Sequence, residues 1–150
     1  MTSHFTDLWL EARTRFSNLV ESISEEDLKK TLGDGPNSLG FLIRHIAEVE
    51  LLFAKNIFKL DGVRVTAKTI IDGKDTGKWT DLDKLKDMSN YAFEQLKTAI
   101  EAQDDKAWES EVSTDEFGTK TLAEAFGRVT SHTAYHAGQI AIVHKYGTIK

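Results

Sequence analysis

The stretch Leu122-Ala123-Glu124-Ala125-Phe126-Gly127-Arg128-Val129-Thr130-Ser131-His132-Thr133-Ala134-Tyr135-His136-Ala137-Gly138-Gln139-Ile140 decides the fold. Its apolar residues return every three or four positions: Leu122, Ala125, Phe126, Val129, Ile140 and, beyond the quoted run, Val143. His132, Thr133 and His136 fall on the same stripe. That period marks one buried face of an α-helix. The segment starts near Thr121 and runs to about Tyr146, where Gly147 ends it. A helix with one apolar stripe must bury that stripe against partners.

Upstream there are three such partners. The first segment carries Phe5, Leu8, Trp9, Ala12, Phe16, Leu19, Val20 and Ile23. Ser24-Glu25-Glu26-Asp27 then resembles a capping box and marks a short second start. Gly33-Asp34-Gly35-Pro36 is a break. The second segment, capped by Asn37 or Ser38, carries Leu39, Leu42, Ile43, Ile46, Val49, Phe53 and Ile57, and is expected to end near Asp61-Gly62. The third opens at Thr80-Asp81-Leu82-Asp83, an acidic turn that suits the helix dipole, and carries Leu82, Leu85, Ser89, Ala92, Phe93, Leu96 and Ile100. Residues 63–80 lose the pattern and read as a long connection, of the kind that is functional or disordered. In a second irregular stretch, 103–118, Glu109 to Thr114 followed by Phe117-Gly118 suggests a small hairpin. The expected fold is all-α: a four-helix bundle, pairing first with second and third with fourth, with a long crossover between helices 2 and 3. Residues 1–150 suit a single domain.

Composition narrows the chemistry. The 150 residues include five His, one Pro and no Cys. Thiolate zinc sites, iron–sulfur clusters, disulfides and a cysteine nucleophile are therefore excluded, and any metal must use His, Asp, Glu or water. A net charge of −5, from 19 Lys and Arg against 24 Asp and Glu, argues against a nucleic-acid partner. No apolar run is long enough to span a membrane. Met1-Thr2-Ser3-His4-Phe5-Thr6-Asp7 has no basic run before an apolar block, so no signal peptide is expected and the cytoplasm is the expected location.

His132 and His136 lie one helical turn apart on one face, where two imidazoles can chelate one ion. Hydrogen-bonded core histidines are an equally good reading of that pair. His45 sits at the edge of the second helix's stripe, beside Leu42, Val49 and Leu52; taken alone it reads better as a hydrogen-bonded core histidine, but it would join the pair if the second and fourth helices pack as neighbours. Three imidazoles with an open position form a catalytic rather than a structural pattern. His4 and His144 read as surface or terminal histidines. A zincin helix needs Glu directly after its first His; here Thr133 stands there, which removes that reading. Glu48, one turn from His45, is in reach of a metal-bound water, but points toward the polar face and reads better as solvated surface. Glu50, inside the apolar sector, is expected to pair with Arg128 or a histidine. Gln139 can hydrogen-bond a ligand or cap a core polar group, and Arg128 and Tyr135 can line a pocket mouth or equally be ordinary surface residues. Gly138, at a helix-propensity penalty of about 1 kcal/mol against Ala, suggests close helix approach.

Ser38-Leu39-Gly40-Phe41-Leu42-Ile43-Arg44-His45-Ile46-Ala47-Glu48 resembles the start of the second helix of DinB-like proteins, and Ser131 to Ile140 resembles their fourth-helix signature. The resemblance covers essentially the whole chain. It implies an up-down-down-up bundle, often a homodimer, with a divalent ion, zinc or nickel, on His45, His132 and His136. Some relatives are thiol-dependent transferases or isomerases that use low-molecular-weight thiols such as bacillithiol or mycothiol. In many relatives an Arg follows the second His of the pair; Ala137 stands there, so no role of that Arg carries over. The leading expectation is a metal-dependent enzyme that activates a thiol cosubstrate or water for transfer to, or hydrolysis of, a small electrophile. The alternative is a non-catalytic, stress-associated metal-binding or interaction protein. Without cysteine in the chain, any thiolate must arrive with a cosubstrate.

Overall fold

The computed structural model describes residues 1–149. The four expected helices are α1 (Thr2–Ser22), α2 (Leu39–Leu52), α4 (Leu82–Glu101) and α5 (Leu122–Tyr146). A short helix, α3 (Lys68–Asp72), lies in the crossover, and a hairpin of β1 (Glu111–Thr114) and β2 (Gly118–Thr121) precedes α5. The starts of α2, α4 and α5 follow from their caps. Ser38 Oγ accepts from Phe41 N at 3.2 Å, and the Asp81 carboxylate accepts from Lys84 N at 3.1 Å. Thr121 and Glu124 form a reciprocal capping box at α5.

Side-chain pairs fix the directions. Glu21 meets Lys86 and Trp9 stacks on Phe93, so α1 and α4 run antiparallel. Phe5 meets Phe126 near both helix starts, so α1 and α5 run parallel. Leu42 lies by Gln139 and Val143, while Phe53 lies by Arg128, so α2 and α5 are antiparallel. The result is up-down-down-up. Both α1 and α2 pack against α4 and α5, which sets α1 and α2 on one diagonal of the bundle. The expected pairing of first with second and third with fourth is therefore corrected: α1 faces α2, and α4 faces α5, across the core, while α2 and α4 are neighbours.

The core has two apolar halves. One is built around Trp9, Leu51, Leu96, Trp108 and Val129, the other around Phe16, Leu39, Ile43, Leu85 and Ile140. Between them lies a buried polar layer with one residue from each long helix. Arg13 Nε donates to Glu50 Oε2 at 3.0 Å, an Arg13 amine donates to the Ser89 carbonyl at 2.7 Å, and Thr133 Oγ1 donates to Glu50 Oε1 at 3.0 Å.

Four local expectations change. α2 does not reach Asp61-Gly62: it widens into a π-turn over Phe53–Ile57, Phe58 N bonds back to Phe53 O at 2.9 Å, and Lys59 turns left-handed at φ 59. Residues 63–80 are not a free loop. Asp75 accepts from Ser38 N at 2.8 Å, and the Trp79 carbonyl lies so close to Gly40 that a Cβ there would sit 1.8 Å from it. Gly147 ends α5 by close approach rather than by a left-handed φ, because a Cβ there would meet Val143 O at 2.4 Å. Gly138 permits no close approach, since no atom lies within 4 Å of where its Cβ would be. The hairpin expected near Glu109 to Gly118 is present, and Leu8, counted in the first stripe, is 61% exposed.

Candidate metal centre

Because α2 and α5 are antiparallel neighbours, His45 faces the pair on α5. The His132 and His136 ring centroids are 4.4 Å apart, and each is 5.0 Å from that of His45. One ring nitrogen from each of the three lies within 4.8 Å of the other two, and the Nε2 atoms of His45 and His132 are 3.1 Å apart. His4 is exposed, and His144 lies 3.4 Å from Asp27, so neither joins this cluster.

The remaining nitrogens are held differently. His136 Nδ1 donates to Gln139 Oε1 at 2.6 Å, which leaves its Nε2 bare. His45 Nδ1 stands 3.0 Å from Thr69 Oγ1. His132 Nδ1 is buried without a hydrogen-bond partner. Burial holds all three imidazoles below the ordinary value of 6.5. At His45 the nearby His136 adds to this and Glu48 opposes it; at His136 the Gln139 bond opposes it. His132 is lowered to about 3, by burial first and then by His136, His45 and Arg128. Three neutral imidazoles thus converge where one shared proton can serve only the His45–His132 contact. A divalent cation satisfies one nitrogen of all three at once, so the donor set fits such an ion.

The carboxylates sit elsewhere than the sequence suggests. Glu48 is not solvated surface: it is fully buried, because α3 folds over it. It accepts from Arg44 Nε at 2.6 Å, Lys68 N at 3.0 Å, Thr69 N at 2.8 Å and the Thr69 hydroxyl. Glu50 pairs with neither Arg128 nor a histidine but with Arg13 across the bundle diagonal. Burial pushes the Glu50 carboxyl up, against the pull of the Arg13 guanidinium and the Thr133 hydroxyl. Arg128 instead meets Glu116 at 3.2 Å and lies 5.0 Å over the Phe117 ring.

A cleft of about 800 Å³ opens on His45 and His132. Val49, Leu52, Phe53 and Ile70 make its walls apolar, and Arg128 and Tyr135 also line it. Gln139 takes the histidine-orienting role rather than a place in this cleft. The sequence reading passes over two groups with a part here, and only one of them has a signal. Thr69 lies in a five-residue helix too short for periodicity. Arg13 does have one: Trp9, Arg13, Phe16 and Val20 keep helical spacing, which places a charge on the buried face.

Comparison with known proteins adds to this geometry. A family model described as the DinB superfamily matches residues 8–140. Among solved structures, the fold is similar to a histidine-to-alanine variant of mycothiol-dependent maleylpyruvate isomerase, with TM-score 0.67 and 13% identity. The match covers 93% of this chain and 60% of that one, so this chain spans less than two thirds of that protein. No curated protein matches the sequence. The family match spans most of the sequence, and the chain belongs to the DinB superfamily.

Proposed function

We propose that His45, His132 and His136 hold a divalent ion, zinc or nickel, and that the protein is a metal-dependent enzyme acting on a small electrophile with a low-molecular-weight thiol, or water, as nucleophile. The observation that carries this reading is the convergence of three neutral imidazole nitrogens beside an open cleft. When bound, such an ion lowers the pKa of a thiol or water next to it. The chain's own residues supply the rest. His45 and His132 face the cleft, so a nucleophile reaches the cluster without unfolding. Val49, Leu52, Phe53 and Ile70 exclude water and receive an apolar substrate body. Arg128 offers a fork that matches a carboxylate on that substrate; its Glu116 partner is exposed, so the pair is weak enough to exchange. The likeness to a thiol-dependent isomerase supports the choice of a thiol. The accessible cleft favours catalysis over a purely structural ion, for which a closed shell is the rule.

The test is turnover. Wild-type protein loaded with zinc or nickel should speed the reaction of a small thiol with a fluorogenic alkylating electrophile, and also in a broad panel of thiols and hydrolysable esters at least one pair should respond. The metal-free protein and His132→Ala should lose at least about tenfold of that rate. Equal rates in loaded, metal-free and His132→Ala protein across the panel would sink the enzymatic reading.

A further inference from the structure

Thr69 sits at the start of α3 and is buried, with its hydroxyl between two groups. On one side is Glu48 Oε2, which receives the hydroxyl proton. On the other, at 3.0 Å, is His45 Nδ1. A threonine hydroxyl has one proton and two lone pairs. Glu48 can only accept in this arrangement, since Arg44 Nε and the Lys68 and Thr69 amides also donate to it. The Thr69 proton is therefore committed to Glu48, and Oγ1 is left to accept. His45 Nδ1 must then carry the imidazole proton, which leaves Nε2 bare, 3.1 Å from Nε2 of His132.

We propose that Thr69 is a positioning residue: by passing the pull of the buried Glu48 carboxylate on to His45, it fixes the ring and tautomer that aim a bare Nε2 at His132 and His136. The relevance of this to an ion rests on the metal-site reading above. The same carboxylate that orients the hydroxyl also holds the first amides of α3, so the segment and the ring are set together. Ile70, the next residue, lines the cleft. α3 thus fixes one histidine and one wall of the site at once. Groups that hold the far nitrogen of a metal-binding histidine typically change metal affinity about 10–100-fold when removed.

Two readouts on wild type, Thr69→Val and Thr69→Ser test the proposal. The first is the tautomer of His45 in metal-free protein, from nitrogen-15 NMR of the imidazole. The second is zinc affinity by competition with a chromophoric chelator. Wild type and Thr69→Ser should show His45 protonated at Nδ1 and bind zinc alike. Thr69→Val should shift the proton toward Nε2 and weaken zinc binding by about tenfold or more. Wild type protonated at Nε2 of His45 would overturn the proposal whatever the variants do. So would Thr69→Val with the wild-type tautomer and zinc affinity. Loss of the Nδ1 proton in Thr69→Val together with no zinc binding by wild type would support the positioning role and reject the metal reading, so the two fail separately.

Discussion

At the residue scale, the three half-buried histidines and the buried Arg13–Glu50 pair follow opposite logic. The histidines are lowered below 6.5, chiefly by burial, with His132 at about 3. The unfolded chain therefore binds protons that the folded chain resists. The stability they permit is fully present above about pH 6.5 and is lost as pH falls from there toward 3. Urea unfolding of metal-free protein should show a falling free energy over that window. His132→Gln, which cannot titrate, should flatten the fall, and an unchanged slope would contradict the burial argument. The Arg13–Glu50 pair shows the other case. Removing one partner strands a buried charge, so Arg13→Met should destabilise by about 3–5 kcal/mol. Replacing both, as Arg13→Met with Glu50→Leu, should recover most of that loss. Chemical denaturation of the single and double variants checks both values.

At the scale of elements, most boundaries are local and were open to sequence reasoning. α5 is legible because its stripe persists over seven turns and Thr121 with Glu124 caps it. Asp81 and Ser38 declare the starts of α4 and α2 in the same way. α3 is not legible, since five residues cannot display a helical period and their position depends on Glu48 reaching them from another element. The end of α2 is also hidden, because a π-turn is a response to packing rather than to local propensity. Gly40 shows where an element and its cover are fitted together. A methyl group there would collide with the Trp79 backbone, so Gly40→Ala should lower stability by about 1–3 kcal/mol and displace residues 75–80 from α2. A melting curve and amide chemical shifts for that segment are the measurements; a wild-type melting temperature would refute the fit.

At the scale of the molecule, the bundle's order of packing makes the site. His132 and His136 share a face by spacing alone, which the sequence states outright. That His45 meets them depends on α2 and α5 being neighbours, a non-local fact that no single helix encodes. The same arrangement puts α1 and α2 on a diagonal, which is why Glu50 finds Arg13 rather than Arg128. Polar residues on otherwise apolar stripes were the signal that survived into three dimensions: His132, His136, Thr133, Glu50 and Ser89 all lie in the site or in the buried layer. Glu48 misled because its face of α2 is polar by pattern, yet a later segment covers it.

A single metal centre on the three histidines is the proposal on which the function above rests. Its most direct test is the metal content of protein loaded with zinc or nickel and then dialysed, measured by inductively coupled plasma mass spectrometry. Wild type should retain about one ion per chain, and each of His45→Ala, His132→Ala and His136→Ala should retain it at least about tenfold more weakly. No retained ion in wild type, or equal retention when all three histidines are replaced, would contradict it.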